Sequence, residues 1–511
     1  MAPGVALTKE ELYEADFPWT VIDGHVYAVG DYIPKHPGGR LICRAIGEDA
    51  SELFHTHHTS ARALATLQRY EIGHLPNGEG RRARPFQELL NARVSSLVLA
   101  PVKPLAEAVA ACMLVLFLAW ASLAYIMGWW LLNVTLAWFW WRHLDAGLHS
   151  AVHGDFRYSA ACQRFFLRVY GILSHHTLDY YHGDGALVGM GMSKHFWHHI
   201  HTNNPLQDPD WVSMNSEAWV RRHSSAPWRP FHKHQCLYWI IVTATLEQIL
   251  ELLNMGKSCI DAMAMLLEPP SATAPYRRRV ADACALLTEV LVGPGYQGAA
   301  FLFQPWWQAL AVLLLARAVA RVVLYPFSEV QHYMPEHMPE HLHEQEEWAV
   351  VQLRTTANLQ LRNPLARALD FLMFHGDSCQ IEHHLWPAMS FVNLRKASKI
   401  VREACIELGL PYHEVGYWEG YAKIREQVVQ HAREPSPGGV RSSGMKADSP
   451  LPEDAELPLV ELHSLTVPSG PRKRLRESSS DDAAVGSSCP RVRARTMRDS
   501  SQDHDDLNAS E

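Results

Sequence analysis

The chain alternates between long apolar runs and polar segments, and the apolar runs predict membrane-spanning helices. Leu105 to Met127 is apolar apart from Glu107 and is long enough to cross a bilayer as one helix. After Gly128, Trp129 to Trp141 forms a second, aromatic-rich run, and Trp306 to Phe327 forms another. The first two runs predict a helical hairpin that returns the chain to the side on which it began.

One further span is expected, but two segments compete for it. Leu237–Leu253 is apolar, yet Glu247 and Glu251 lie one helical turn apart within it. Val280–Val292 is shorter and follows three arginines at 277–279, so the positive-inside rule favours it as the span. Leu237–Leu253 would then lie along the membrane interface. Either choice gives about four spans and returns the chain to its starting side after the last one.

Polar or alternating segments flank the apolar region. Trp19 to Tyr27 alternates in the way of two strands around a turn. The arginines at 81, 82 and 84 lie in a polar segment and can contact anionic lipid headgroups. The end of the chain is rich in Ser, Pro, Asp and Arg, which predicts disorder. We therefore expect a folded module at 8–76, a linker at 77–103, a membrane domain at 104–433 and a disordered tail at 434–511.

Histidine is the residue type that changes this picture. The chain has 30 histidines in 511 residues, and they are clustered. Its 9 cysteines form no CxxC pair, so we expect a protein that faces a reducing compartment. No signal peptide is expected, because the first residues lack an apolar core. The net charge of -8 gives no reason to expect a nucleic-acid partner.

Three groups of histidines have the spacing of metal ligands on helices. Gln380, His383 and His384 stand at i, i+3 and i+4 and would share one helix face. The same spacing recurs in a group at His195, His198 and His199, and a pair at His149 and His153 is separated by four residues. One four-coordinate zinc ion would not use so many imidazoles, so two metals are the natural number. The predicted spans place all three groups on the side of the N-terminal module.

The N-terminal module resembles a cytochrome b5 domain. The resemblance rests on the motif His36-Pro37-Gly38-Gly39, on the stretch Gly47 to Phe54 and on the closing stretch Arg69 to Gly73. It implies a haem b whose iron is held by His36 and His58, with His57 as a rival for the second position. Two imidazoles leave no open position on the iron, so such a haem carries electrons.

The histidine groups resemble the three boxes of the membrane fatty acid desaturases. The fused haem module, and Gln380 where a first histidine is usual, resemble the front-end subfamily. Supporting stretches are His201 to Asn203 with Asp208 to Asp210, Trp348 to Gln352, and Gly409 to Tyr412. The resemblance implies two iron ions, and it adds one ligand just after the last span. The implied metal ligands are His149, His153, His195, His198, His199, His332, Gln380, His383 and His384.

One residue departs from the family's pattern. Ser150 stands where the first box usually has Asp, so an acceptor that would orient a ligand imidazole is expected to be lost. Three further histidines, His337, His341 and His343, fall in a polar loop with two prolines, and we expect them to be solvated.

The resemblance implies a fold and a function. The fold class is mixed, with a small α+β haem domain followed by an all-α membrane domain of about four spans and a cytosolic histidine-box cap. The function is oxygen-dependent insertion of a cis double bond between an existing one and the carboxyl end of a polyunsaturated acyl chain. The implied partners are an acyl-lipid or acyl-CoA substrate, O2 and cytochrome b5 reductase. The implied location is the endoplasmic reticulum membrane, with haem domain and metal site in the cytosol.

Three readings remain open at the level of sequence. We favour Δ4 desaturation, because His153-Gly154, the stretch His198 to Asn203 and Trp348 to Gln352 resemble algal and protist enzymes that act near the carboxyl end of very long chains. Δ5, Δ6 and Δ8 desaturation are rivals. The second reading is a hydroxylase or desaturase of acyl chains or a sphingoid base. The third is a haem electron carrier with an inactive metal site.

Overall fold

The computed structural model describes the N-terminal module and most of the helical region up to Arg433. The described residues are 5–36, 45–58, 61–80, 83–98, 103–153, 160–174, 192–204, 207–208, 219–222, 227–242, 298–337 and 346–433, with isolated positions between 42 and 291. Pro37 to Gly39, most of both candidates for the ambiguous span, His341, His343 and the tail at 434–511 lie outside them.

The N-terminal module contains a mixed four-stranded sheet. Its strands are β1 (Val5–Ala6), β2 (Trp19–Ile22), β3 (His25–Ala28) and β4 (Glu71–His74), in the order β1-β4-β3-β2. The first pair is parallel, and the others are antiparallel. Asp23 and Gly24 have φ angles of 53° and 76° and form the tight turn between β2 and β3. The predicted strands around a turn are therefore confirmed.

Short helices cover this sheet and complete the α+β module. They are α1 (Lys9–Glu14), α2 (Ser51–His57) and α3 (Ala61–Leu67). Because side chains alternate across a strand, Val21 and Val26 enter one core with Leu12, whereas Ile22 and Tyr27 enter another. The sheet thus has apolar packing on both faces, although the module is small.

A helix occupies much of the segment that we expected to be a linker. Helix α4 (Pro85–Val98) begins with proline at its first position and buries Phe86, Leu90 and Val94. These residues recur every four positions and form one apolar stripe, which packs into the main core. The polar residues at 77–84 precede this stripe, and most of the rest of the expected linker is helical.

Five longer helices and one short helix form the described part of the central region. They are α5 (Lys103–Ile126), α6 (Trp130–His153), α7 (Ala160–Ser174), α8 (Met192–His201), α9 (Ala300–Phe303) and α10 (Trp306–His332). Among the described residues one stretch, Leu105–Ile126 of α5, is long and apolar enough to span a membrane, and a shorter apolar stretch lies at Trp306–Ala320. The predicted second span is the first part of α6, which continues without a break to His149 and His153.

The C-terminal elements pack against these helices. They are α11 (Trp348–Thr355), β5 (Asn358–Leu359), α12 (Pro364–Met373), α13 (Gln380–Leu385), α14 (Phe391–Leu408), β6 (Glu414–Val415) and α15 (Tyr417–His431). Strands β5 and β6 pair in parallel. One core joins Leu90 of α4, Leu148 of α6, Phe196 of α8, Leu353 of α11 and Ile381 of α13. The helices that carry the histidine groups are therefore held by a shared apolar core.

Helix α15 packs against α10 through a glycine. A Cβ atom added at Gly420 would lie 2.2 Å from Cγ1 of Val330, which is closer than real atoms approach. The exchange Gly420→Ala is therefore expected to push the two helices apart and to lower the free energy of unfolding by about 1–3 kcal/mol. The measurement is thermal unfolding of the purified protein in detergent.

Gly416→Ala is the matched control for this variant. A Cβ atom at Gly416 would approach no atom closer than 4.0 Å, so this variant should lose only the small difference between glycine and alanine at the N-cap of α15, and its unfolding midpoint should lie above that of Gly420→Ala. Equal midpoints for the two variants would contradict the close contact between α15 and α10.

Candidate metal centre

Five histidines from three helices form the first cluster. His149 and His153 come from successive turns of α6, His195 and His199 come from α8, and His383 comes from α13. Their potential ligand nitrogens lie within 4.8 Å of one another. The Nε2 atom of His195 is 2.8 Å from that of His149 and 3.0 Å from that of His199, so the rings converge on a common point.

Three histidines and one amide form the second cluster. His198 of α8, His332 at the end of α10 and His384 of α13 place ligand nitrogens within 4.8 Å of one another. The Gln380 amide nitrogen lies 2.9 Å from Nε2 of His332. A half-turn of this amide exchanges its nitrogen and oxygen, which places the oxygen beside the same ring. All nine predicted ligand side chains are therefore brought together in two adjoining groups.

Helical spacing divides the ligands between the two clusters. On α8, His195 and His199 face the first cluster and His198 faces the second. On α13, His383 belongs to the first cluster and His384 to the second. The rings of His199 and His384 are stacked with centroids 4.1 Å apart, where the clusters meet. Two short helices thus supply candidate ligands to two neighbouring candidate metal positions.

The chemistry of these side chains suits metal ions. Nε2 of His383, Nε2 of His384 and both ring nitrogens of His153 are buried without a hydrogen-bond partner among the described residues. Such orphaned nitrogens are costly unless a metal ion or an ordered water satisfies them. Burial, and then the neighbouring imidazoles, hold the pKa values of His199, His383 and His384 well below the usual value. The rings are therefore neutral, which is the form that binds metal.

Buried hydrogen bonds orient two of the ligand rings. His198 donates from Nδ1 to the Asp208 carboxylate at 2.9 Å, and His384 donates from Nδ1 to Oε1 of Gln352 at 2.9 Å. Thr202 also donates to Oε1 of Gln352, at 2.9 Å. A proton on Nδ1 leaves Nε2 of each ring as the metal-binding atom. Asp208 and Gln352 lie in stretches that supported the resemblance, but sequence alone had given them no role.

Asn203 joins three segments around the second cluster. Its side-chain nitrogen lies 2.6, 3.0 and 3.1 Å from the carbonyl oxygens of His332, His337 and Thr355. Its backbone has a φ of 57°, a conformation that asparagine tolerates better than most residues. Asn203 therefore connects α8 to the end of α10 and to α11, and fixes where His332 stands.

Glu382 anchors the other face of α13. Its carboxylate accepts hydrogen bonds from the Asn358 amide at 2.8 Å and from the Tyr412 hydroxyl at 2.9 Å. Burial raises the pKa of Glu382 to about 7, although both hydrogen bonds act in the opposite direction. The oxygen of the Asn358 amide also accepts the backbone N–H of Ile381 at 2.9 Å. The helix that carries three predicted ligands is thus held from its opposite face.

Ser150 and His337 both lie near the clusters. The Ser150 hydroxyl lies 3.1 Å from Nδ1 of His375, and the described residues show no hydrogen bond from it to a predicted ligand. The expectation for His337 needs correction. His337 is 1% exposed rather than solvated. It packs against His413, and burial lowers its pKa to about 3. The first residues of this loop, up to His337, therefore pack onto the body of the protein, which the composition of the loop did not indicate.

The predicted haem ligands lie on one side of the N-terminal module. The ring centroids of His36 and His58 are 5.9 Å apart, close to the roughly 6 Å expected when two imidazoles share one metal at about 2 Å each. His58 contacts the carbonyl of Phe54 through Nδ1 at 3.1 Å, which leaves Nε2 as the binding atom. The rival, His57, instead has its ring against Phe196 and His153.

Two adjoining clusters of neutral imidazoles beside a haem-type module define a metal-dependent oxidoreductase. The model of the family described as fatty acid desaturase matches residues 126–416, and that of the cytochrome b5-like haem/steroid binding domain matches residues 8–76. The chain therefore belongs to the fatty acid desaturase family and carries a fused cytochrome b5 domain, as the resemblance implied. Membership implies a haem and a di-iron centre, and it makes the protein an oxygen-dependent enzyme.

Curated relatives agree with this assignment at modest identity. The chain is 26% identical to fatty acid desaturase 3 of Bos taurus over 80% of its own length and 90% of the relative's. It is 24% identical to an acyl-lipid (8-3)-desaturase of Physcomitrium patens, over 77% and 84%. It is 23% identical to a delta(8)-fatty-acid desaturase of Arabidopsis thaliana, over 81% and 90%. The resemblance to cytochrome b5-fused front-end desaturases is thus confirmed.

Removing the partner of a ligand ring is expected to weaken metal binding. Gln352→Ala deletes the acceptor that orients His384, and losses of such partners lower metal affinity by about 10- to 100-fold. The measurement is iron retained per chain after dialysis against increasing concentrations of a chelator.

Gln360→Ala provides the control, because the side chain of Gln360 is exposed and pairs with Arg362 away from the clusters. Equal iron retention by the two variants would show that Gln352 does not support the metal site.

Proposed function

We propose that the protein is a front-end acyl desaturase that inserts a cis double bond at Δ4 of a very long polyunsaturated chain. The observation that carries the desaturase part is the pair of adjoining imidazole clusters in contact with the fused haem module. The preference for Δ4 rests on the motif resemblances, because the names of the three relatives described above do not state Δ4. A hydroxylase and an inactive electron carrier remain the competing readings.

In this proposal, residues of the chain hold and orient the reactive groups. Haem b would be held by His36 and His58. One iron would be held by the first cluster of five histidines, and the other by Gln380 and the histidines of the second cluster. The bound irons supply the oxygen chemistry that removes hydrogen from an unactivated methylene, which no acid or base of the protein can do.

The surrounding side chains keep the site dry and fixed. Ile381, Leu385 and Trp386 are each at most 2% exposed and surround the ligands of α13. The indole of Trp386 donates to Asn91 of α4 at 2.7 Å, which ties the end of α13 to α4. Exclusion of water protects a strong oxidant from side reactions. Asp208 and Gln352 hold the ring protons at Nδ1 and so keep Nε2 available.

Domain limits, location and partners complete the proposal. We assign the haem domain to 8–76 and the membrane domain to 104–433. The hairpin of α5 and α6 and the return span in α10 would put both redox sites on the cytosolic side of the endoplasmic reticulum membrane. The electron donor would be cytochrome b5 reductase, and the substrate an acyl-lipid or acyl-CoA.

Feeding defined fatty acids to yeast that expresses the protein tests this function. With docosapentaenoic acid we expect docosahexaenoic acid as the new product. The variant His383→Ala, which loses a ligand but no apolar packing, should accumulate normally and form none. The measurement is gas chromatography with mass spectrometry of total fatty acids.

Each other outcome identifies a different reading. Conversion of shorter polyunsaturated acids without docosahexaenoic acid would overturn Δ4 and leave the desaturase assignment standing. A hydroxylated product would favour the hydroxylase. No new product from any acid, in protein that retains haem and iron, would favour the inactive electron carrier.

The haem assignment has its own test. His58→Ala should abolish the low-spin spectrum of a bis-histidyl haem, because it removes one of the two histidines that would hold the iron. His57→Ala should retain that spectrum, since the ring of His57 packs against Phe196 and His153. Absorption and electron paramagnetic resonance spectra of the purified proteins give the answer, and the reverse pattern would move the ligand to His57.

A further inference from the structure

One arginine of the presumed linker is buried between the haem module and the helical domain. Arg84 is 8% exposed, although a linker arginine was expected to contact lipid headgroups. Its Nη2 atom donates to Oε1 of Glu52 at 2.9 Å, its Nε atom donates to Oε2 at 3.2 Å, and its Nη1 atom is paired with Asp23. Arg84 thus makes a bidentate pair with α2 and a second ion pair with the turn between β2 and β3.

The residues after Arg84 are held on the other side by the helical domain. Glu347 accepts the backbone N–H groups of Phe86 at 3.0 Å and of Gln87 at 2.6 Å, at the beginning of α4. A carboxylate there satisfies two N–H groups that no helical carbonyl can reach, and it favours the positive end of the helix dipole. Glu347 also stands at the N-terminal end of α11, which carries Gln352. A continuous path therefore runs from the module to the residue that orients His384.

A second contact brings the module onto the first cluster. Leu53 of α2 packs against the main core. The ring of His57 lies 5.4 Å from that of Phe196 and is stacked with that of His153 at 6.3 Å. Because His58 follows directly in the chain, the candidate haem ligand and a candidate iron ligand are separated by one layer of side chains.

These contacts carry a proposal that rests on the proposed function. We propose that Arg84 is a positioning residue that locks the haem module onto the desaturase domain, with His57 seated against Phe196 and His153. The two redox sites of one chain are then a fixed donor and acceptor, and the module does not search for its partner site by diffusion. With both groups bound, His36 and His58 would hold the electron donor and the histidine clusters would hold the acceptor, and the reductase would supply each electron.

The lock is ionic because apolar packing covers only part of this boundary. A polar cleft of about 370 Å³ lies beside Arg84, and its lining includes Asp23, His55, Gln87 and Asn91. Leu53 and His57 supply the packing on the other side of α2. Glu52 and Arg84 are both buried. Removing either one leaves the other as an unpaired buried charge, which is destabilising because water does not solvate it freely.

Labelling of histidines in the full-length, haem-loaded protein tests the lock without turnover. The reagent is diethyl pyrocarbonate, and the quantity compared is the modification rate of His57 against that of His234, which is exposed and does not line the cleft beside Arg84. In Arg84→Ala the rate at His57 should rise about tenfold, because truncating one partner of a buried charge pair shifts an association by at least that factor. The rate at His234 and the haem spectrum should not change.

Arg93→Ala is the matched control. Arg93 lies on α4, which begins directly after Arg84, and it pairs at the surface with Glu407, so its removal should change neither labelling rate. Arg84→Lys keeps the charge but loses the bidentate geometry and should give an intermediate rate at His57. Unchanged labelling of His57 in Arg84→Ala, or equal effects of Arg84→Ala and Arg93→Ala, would overturn the proposal.

A second measurement tests the effect on electron transfer. It is the rate at which reduced haem is reoxidised after mixing with acyl substrate and O2. It should fall about tenfold in Arg84→Ala, while reduction of the haem by the reductase keeps its rate. An unchanged reoxidation rate together with exposed His57 would overturn the claim that the lock sets the donor and acceptor positions. A failure of the proposed function would instead remove substrate-dependent reoxidation from every form and leave the labelling result intact.

Discussion

The structure depends on keeping a group of imidazoles buried, neutral and pointed inward at two adjoining positions. A buried nitrogen without a partner costs free energy, and many such nitrogens are gathered here. The cost is sustainable because metal ions would satisfy these atoms and because the opposite edges of key rings have partners of their own. Asp208 and Gln352 supply those partners for His198 and His384. The polar shell around the ligands is thus as necessary as the ligands themselves.

The apolar packing of the helices serves this arrangement. The ligand-bearing helices α6, α8 and α13 contribute Leu148, Phe196 and Ile381 to one core, so the helix positions are set by burial and the ligand positions follow from helical phase. His332 lies at the end of α10. The side-chain amide of Asn203 donates a hydrogen bond to the backbone carbonyl of His332 and so helps to fix the position of that residue. A packed core transmits small displacements of a helix to the side chains that it carries. The hydrogen bonds of Glu382, on the face of α13 opposite the histidines, therefore also help to position the candidate ligands.

The haem module is joined to this framework by more than its covalent connection. Buried ion pairs are rarely a large net source of stability, but they impose a specific geometry where flexible packing would allow several. The pairs of Arg84 with Glu52 and Asp23 have this character. Fusion of a redox donor to its acceptor already raises its effective concentration, and a fixed orientation goes further because it removes the search among unproductive orientations.

The sequence by itself determined the local features. The spacing of His195, His198 and His199 and of Gln380, His383 and His384 indicated ligand faces, because helical periodicity is a property of a few consecutive residues. The strands around Asp23 and Gly24 and the resemblance to a desaturase with a fused cytochrome b5 domain followed in the same way. Tertiary structure decided which cluster each histidine joins, since His149 meets His383 across more than two hundred residues of chain. It also decided that Arg84 and His337 are buried, because burial depends on which distant surfaces pack together and not on the polarity of the neighbouring residues.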